Sequence, residues 1–185
     1  QFNVVMLNVT PAPVCVTPPP QETRGFEWKL NTLMPRDKNY MFSPLSIKLA
    51  LAMAANGAEG ETQQEILSAL GIDDLDAFNA QVQEMIAAYG ANEDVRLSIA
   101  NSVWLNRDYA GAQSARFNSG FLKLMADCYS AEADTVTNAD GVEKINGWIE
   151  QKTNGKIKDV LQDSNFLAAL VNAVYFKGAW LQQFR

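Results

Sequence analysis

The chain has 185 residues, 48% of them hydrophobic, and a formal net charge of -6 at pH 7, a composition typical of a globular domain with a sizeable core. The acidic balance and the lack of a Lys/Arg cluster argue against nucleic acid and against a membrane as partners, since both are bound by concentrated basic surfaces. There is no histidine, and Cys15 and Cys128 are too far apart for a CxxC motif, so we expect no catalytic residue, no metal and no cofactor in this chain.

Residues 1–24 differ in composition from the rest and are predicted to form an amino-terminal arm. The segment "TPAPVCVTPPPQET" is rich in proline, which cannot continue a helix, and this indicates an extended chain. The preceding "FNVVMLNV" is apolar and rich in strand-forming residues, so we weigh an arm that docks on the rest of the chain against one that extends freely. The candidate docking residues are Val4, Val5, Met6 and Leu7.

The remaining residues, 25–185, are predicted to form a single domain that begins with four helices. In "FSPLSIKLALAMAANGAEG", Ser43 is placed as the N-cap, Pro44 at the first helical position and Ser46 in the first turn. This second helix is apolar nearly all round, which predicts that it is buried centrally. The other three helices are predicted in "GFEWKLNTLM", "ETQQEILSALG" and "DDLDAFNAQVQEMIAAYG".

The second half of the chain alternates between strand and helix patterns. A period of two predicts a long strand in "VRLSIANSVWLNRDY" and a short one in "SAEADTV". Helices are predicted in "FNSGFLKLMADCY" and in "DGVEKINGWIEQKTNGK", the second with a capping box from Asp140 to Glu143. Both faces of the last strand, "LVNAVYFKGAW", are apolar, so it needs neighbours. The order of elements predicts an α+β fold with helices packed on a large mixed β-sheet.

The two long strands share a polar interruption. "ANSVW" places Asn101, and "VNAVY" places Asn172, in an otherwise apolar row. A buried amide without hydrogen-bond partners costs on the order of 1–3 kcal/mol, so both side chains need partners. On composition alone we favour bonds to nearby backbone at an irregularity of the sheet over a functional role.

Four segments together resemble one protein family. "NYMFSPLSIKLALAMAANGAEGETQQEI", "LSIANSVWL", "INGWIEQKTNGKI" and "LVNAVYFKGAW" occur in the order and spacing of the serpins, and they span the chain from Phe26 to Phe184. The chain is similar to the amino-terminal half of a serpin, and its added arm suggests a prokaryotic, thermophilic member. The resemblance implies the serpin fold, completed by a carboxy-terminal half that is expected as a second chain or as sequence missing here.

The resemblance also implies an inhibitor of serine proteases, or of cysteine proteases, that acts as a suicide substrate. In that mechanism the protease attacks a reactive-centre loop, expected here outside the chain, and the loop inserts as a strand beside "LVNAVYFKGAW". An extracellular or cell-envelope location is expected for such an inhibitor. The matching residues are Ser43, Pro44, Ser46 and Asn172 in the shutter under the opening sheet, and Trp180 in the breach where the loop enters.

The two cysteines are candidates for a disulfide that pins the arm to the body. Cys15 lies in the arm and Cys128 near the end of a predicted helix. In the chain-entropy model, closing so long a loop stabilises the fold by roughly 4–5 kcal/mol. The alternative is two unrelated thiols. A pinned arm is expected to slow premature insertion of the loop.

Other functions are weighed against inhibition. A non-inhibitory serpin is the nearest alternative, because the loop hinge that decides between the two lies outside the chain. An α+β enzyme that uses the carboxylates of Asp73, Asp74 and Asp76 is the more distant one, since acidic residues at a helix start are usually caps. Heparin binding is not expected, because no Lys or Arg occurs between Glu59 and Val95.

Overall fold

The computed structural model confirms the predicted order of helices and strands. It describes residues 25–37, 39–40, 42–90, 95–111 and 115–178. The helices are α1 (Phe26–Thr32), α2 (Pro44–Gly57), α3 (Gly60–Leu70), α4 (Leu75–Gly90), α5 (Ser119–Tyr129) and α6 (Gly141–Lys152). The strands are β1 (Val95–Asn106), β2 (Ala131–Val136) and β3 (Ala168–Gly178).

Local sequence signals set the ends of the central helices. Ser43 Oγ accepts a hydrogen bond from the Ser46 N–H at 3.2 Å, and Pro44 takes the first helical position of α2, as predicted. Helix α3 ends at Gly71, whose φ of 67° is a left-handed conformation that glycine adopts at low cost. The fully buried side chains of α2 confirm its central place; they are Leu49, Ala52, Met53 and Ala55.

The capping box predicted at the start of α6 is wrong. The Asp140 carboxylate accepts hydrogen bonds from the N–H and the hydroxyl of Thr137, at 2.7 and 2.8 Å, and pairs with Lys144 at 2.9 Å. It accepts no capping hydrogen bond from the backbone N–H groups at the start of the helix. The contact with Lys144, followed by those with Thr137, lowers the pKa of Asp140 to about 2. The carboxylate closes the turn before α6 and is therefore not available as its cap.

The three strands form one mixed sheet in the order β2-β1-β3. Strands β1 and β2 are parallel, and α5 forms the crossover that a parallel pair requires. Strands β1 and β3 are antiparallel along β1 from Val95 to Leu105. This register places Asn101 directly opposite Asn172.

Alternate residues of β1 supply two hydrophobic cores, one on each face of the sheet. On one face, Val103 packs with buried residues of α2, α3, α4 and α5. On the other face, Trp104 packs with residues of α6 and with Ala173 of β3. Because helices cover both faces, the sheet can gain a further strand only along an edge.

Candidate functional site at the edge of the sheet

Ser46, Asn172 and Asn101 form a hydrogen-bonded chain that links α2 to both long strands. The Ser46 hydroxyl donates to Asn172 Oδ1, and Asn172 Nδ2 donates to Asn101 Oδ1 at 2.7 Å. Asn101, which is 1% exposed, donates in turn from Nδ2 to the carbonyl oxygen of Tyr129 at 2.7 Å. The prediction that both asparagines need partners is confirmed. The two side chains bond to each other, Asn172 also accepts from Ser46, and Asn101 also donates to the last residue of α5, so neither bonds to backbone at an irregularity of the sheet.

The chain of hydrogen bonds continues beneath the sheet to α4. The Tyr129 hydroxyl donates to Asn79 Oδ1 at 2.7 Å, and the Asn79 and Asn56 amides donate to each other's oxygens at 2.9 and 3.0 Å. Asn56 Nδ2 also donates to the Ala52 carbonyl at 2.9 Å, which returns the chain to α2. Burial raises the pKa of the Tyr129 hydroxyl above its ordinary value, so it stays a neutral donor.

Asn56, Asn79 and Tyr129 were missed by sequence reasoning, although one signal was present. Asn79 lies on the apolar stripe of α4, one residue after Phe78 and three before Val82, and it is 3% exposed. A polar residue on such a stripe must find a buried partner. Its partners come from α2 and α5, which are distant in sequence.

The second edge of β3 pairs with no strand among the residues that the structure describes. A groove of about 460 Å³ runs beside it, and its lining includes Ser46 and Asn172 on one side and Ile149 of α6 on the other. Two apolar side chains near this edge are exposed: Val160 by 56% and Phe176 by 67%. Unpaired backbone groups beside an apolar groove can accept an extended segment as an added strand.

The structure brings together the predicted shutter residues. Ser43 caps α2 through the Ser46 N–H, Pro44 begins the helix, and the Ser46 hydroxyl donates to Asn172 on the same side of the groove. Other predicted site residues lie outside the described residues. These are Trp180, Cys15 and the arm residues Val4, Val5, Met6 and Leu7.

Cys128 is partly buried on α5, where it packs against the core beneath the sheet. Burial, and then the nearby charges of Asp127 and Asp76, raise the pKa of the Cys128 thiol. A raised pKa disfavours the thiolate, so this side chain behaves as a small hydrophobic residue. The bridge to Cys15 stays a prediction.

The acidic start of α4 has a structural explanation. Asp74 Oδ1 accepts the N–H of Ala77 at 2.9 Å, as an N-cap does. Within the described parts of the chain, no group of three or more His, Cys, Asp or Glu side chains is placed to hold a metal ion. A search of the same residues finds no helix with the length and hydropathy of a membrane span.

Comparison with known proteins identifies the family. The model of the serpin family, described as serine protease inhibitors, matches residues 26–185. The chain therefore belongs to the serpin family, and it forms the amino-terminal half of the serpin fold. The expected family and fold are thus confirmed.

Particular relatives show how much of a serpin the chain covers. Neuroserpin of Homo sapiens is 36% identical over 161 residues, which are 80% of this chain and 37% of neuroserpin. The thermophilic serpin tengpin in its latent state matches with a TM-score of 0.75 and 32% identity, over 87% of this chain and 43% of tengpin. Thyroxine-binding globulin in complex with thyroxine matches with a TM-score of 0.75 and 27% identity, over 87% and 46%. The chain spans less than half the length of each.

Proposed function

We propose that this chain is the amino-terminal half of a serpin that inhibits a serine protease, or a cysteine protease, by insertion of a reactive-centre loop carried outside the chain. The observation that carries the proposal is the apolar groove beside Asn172, at the edge of β3 that pairs with no strand among the described residues. In the full serpin, the carboxy-terminal half is proposed to supply the neighbouring strand at this edge, and the loop enters between that strand and β3, where the groove offers it an apolar surface. Membership of a family described as serine protease inhibitors supports the same function.

In this mechanism the full serpin acts as a substrate and a trap, and not as an enzyme. The nucleophile of the target protease attacks the scissile carbonyl of the loop, the peptide bond breaks, and the protease stays bound through the new ester or thioester. The loop then enters along β3 and carries the protease with it. Completion of the sheet supplies the driving force, and a kinetic barrier holds the protein in the uninserted state before attack.

The shutter residues set that barrier. Ser43 and Pro44 fix the start of α2, so that the Ser46 hydroxyl meets Asn172 on β3. Movement of β3 relative to α2 requires this hydrogen bond to break or to shift. Trp180, two residues beyond the end of β3, is proposed to lie at the breach where the loop first enters.

The partners of the chain follow from this function. They are the target protease and the carboxy-terminal half of the serpin, present either as a second chain or as further sequence of the same polypeptide. We place the protein outside the cell or in the cell envelope, where such proteases act. We propose a prokaryotic, thermophilic source. The likeness to the thermophilic serpin tengpin supports the second of these properties, while neuroserpin, of comparable identity, comes from Homo sapiens.

The arm, residues 1–24, is proposed to act as a brake on premature insertion, pinned by a bridge between Cys15 and Cys128. Its deletion should shorten the half-life of inhibitory activity without abolishing folding. The disulfide is tested by counting the free thiols of the native and of the denatured protein. Two free thiols per chain reject the disulfide. Equal half-lives of the full-length and arm-deleted proteins reject the brake.

A non-inhibitory serpin is the second candidate. The match to thyroxine-binding globulin in complex with thyroxine supports it, since that protein binds a small molecule on the same fold. The two candidates differ in whether cleavage of the loop leads to insertion, so a test of insertion separates them.

The test uses the protein that contains both halves. Incubation with a trypsin-like serine protease should give a covalent complex that survives SDS, and cleavage of the loop should raise the melting temperature because the sheet gains a strand. Reversible inhibition, or a melting temperature that cleavage leaves unchanged, rejects the inhibitory mechanism and favours the second candidate.

A further inference from the structure

The sequence contains three Asn-Gly pairs, and the structure holds their asparagines in different ways. They are Asn56-Gly57 at the end of α2, Asn146-Gly147 inside α6, and Asn154-Gly155 in the turn after α6. Asparagine is most prone to deamidate before glycine, because glycine has no side chain to shield its backbone nitrogen. That nitrogen attacks the side-chain amide, so the reaction requires both a mobile amide group and an unbonded backbone N–H.

The first two asparagines are held at both atoms of the side-chain amide. Asn146 Oδ1 accepts the N–H of Leu161 at 2.8 Å, and Asn146 Nδ2 donates to the Leu161 carbonyl at 2.9 Å. The amides of Asn56 and Asn79 donate to each other's oxygens at 2.9 and 3.0 Å. The glycines that follow are helical residues, so their N–H groups are bonded within α2 and α6. Neither pair can react without local unfolding.

The third asparagine, Asn154, is exposed, and its side chain makes no hydrogen bond to any residue that the structure describes. It takes a left-handed conformation just after α6, with φ of 52°, and Gly155 follows with φ of 72°. The Gly155 N–H donates to the Glu150 carbonyl at 2.8 Å. Such a bond at an exposed helix end opens readily by fraying, and the backbone can then rotate to bring the nitrogen to the side chain.

We propose that Asn154-Gly155 is a site of spontaneous deamidation, with water as the co-reactant. The Gly155 nitrogen gives its proton to a base in solution and attacks Cγ of Asn154. The Cγ–Nδ2 bond breaks, and ammonia leaves with a proton from solvent, so that a cyclic succinimide remains. Water then opens the ring at either carbonyl. The products are aspartate and isoaspartate, each with one negative charge more than asparagine.

This modification changes the end of α6. A carboxylate at residue 154 lies at the helix C-terminus, where the helix dipole disfavours negative charge. Isoaspartate adds one atom to the main chain, which displaces the Gly155 N–H from the Glu150 carbonyl. The inference goes beyond the proposed inhibitory function and does not depend on it, since the reaction needs only the folded turn.

The test compares the three pairs within one molecule. The full serpin is incubated at mildly alkaline pH, both folded and unfolded in guanidinium chloride, and each pair is followed by peptide mapping with mass spectrometry. The ratio of folded to unfolded rates at each pair removes the effect of local sequence. Asn154→Gln is the matched variant, because it keeps an exposed amide that would have to form a larger and less favourable ring.

In the folded protein we expect Asn154 to react within about tenfold of its unfolded rate, because one exposed hydrogen bond opposes it. Asn56 and Asn146 should be slowed at least about a hundredfold, because two side-chain bonds and a helix must open. Aged wild-type protein should gain a more negative band on native gels, and Asn154→Gln should gain less of it. Slowing of Asn154 as strong as that of Asn56 or Asn146 overturns the proposal, as does a band undiminished in the variant. Inhibition is not measured, so a failure of the proposed function leaves this result standing.

Discussion

The two faces of the sheet are held by polar contacts in different surroundings. Beneath the sheet, Asn101 is 1% and Tyr129 0% exposed, and their hydrogen bonds have no water to replace them. Above it, the Glu132 carboxylate of β2 accepts a hydrogen bond from Trp148 Nε1 at 2.9 Å and pairs with Lys152 of α6, and the Glu132 side chain is 57% exposed. Breaking a contact beneath the sheet costs more free energy than breaking one above it, because water can hydrogen-bond the groups that are released on the exposed face.

The contacts beneath the sheet enter the proposed function. The chain of hydrogen bonds from Ser46 to Asn56 is proposed to hold one arrangement of α2, β1 and β3 until a strand inserts. The exposed contacts of Glu132 are expected to contribute less to stability. The following predictions test this division, beginning with the largest expected effect.

Asn101→Ala removes the middle of the buried chain. It removes the acceptor for Asn172 Nδ2 and the side-chain donor to the Tyr129 carbonyl, and a buried group left unmet costs about 1–3 kcal/mol. We expect the free energy of unfolding of the full serpin, measured in urea, to fall by about 2–4 kcal/mol. Asn165→Ala is the control, since Asn165 is exposed. A loss below about 0.5 kcal/mol for Asn101→Ala, the range of ordinary surface changes, contradicts the distinction between the faces.

Tyr129→Phe keeps the buried ring and removes only its hydroxyl. Asn79 Oδ1 loses one donor but retains the amide of Asn56, so we expect the free energy of unfolding to fall by about 1–2 kcal/mol. Tyr40→Phe removes a hydroxyl from a ring that is 41% exposed and should have little effect. Equal losses in the two variants, measured in the same urea titration, argue against a special role of burial.

Ser43→Ala and Asn118→Ala remove the N-caps of α2 and α5, and each should cost about 1 kcal/mol of the free energy of unfolding. Only α2 carries the contact to Asn172. We therefore expect Ser43→Ala alone to speed the formation of polymers, or of a monomer that resists unfolding in urea, when the full serpin is warmed, as followed on native gels. If Asn118→Ala speeds it equally, the effect comes from lost stability and not from the shutter.

Asp140→Asn is expected to have the smallest effect and to depend on pH. Because the pKa of Asp140 in the fold is about 2 and its ordinary value is 3.8, the ionised carboxylate stabilises the fold above pH 3.8 and loses this effect as the pH falls to about 2. The wild-type protein should be slightly more stable than the variant at neutral pH, and the difference should vanish near pH 2. A difference that grows on acidification contradicts the sign.

Most of the fold was predictable because its signals are local. Ser43 and Pro44 mark the start of α2, Gly71 marks the end of α3, and the period of two in β1 is uninterrupted except at Asn101. The capping box failed for a reason that is also local. The Thr137 side chain and backbone compete for the Asp140 carboxylate, and the pattern of residues 140 to 143 does not include that competitor.

The candidate site was predictable only in part. That Asn172 and Ser46 belong together came from the family resemblance, and that Asn101 needs a partner came from its apolar row. The identity of the partner of Asn101 depends on the antiparallel register of β1 and β3, and that register cannot be predicted from either strand segment alone. The hydrogen bond from Trp148 to Glu132 depends likewise on the packing of α6 against β2, and the sequence around Trp148 alone predicts a core residue.

The most direct test of the account is the fate of Asn172→Ala in the full serpin on prolonged warming. The account predicts faster loss of inhibitory activity than in the wild type, accompanied by polymers or by a monomer that resists unfolding in urea. The variant removes the hydrogen bonds of Asn172 to Ser46 and Asn101, which oppose opening of the sheet, and leaves the inserted form accessible. Activity and oligomeric state are followed together over the same time course. A variant that stays monomeric and fully inhibitory contradicts the assignment of Asn172 to the shutter.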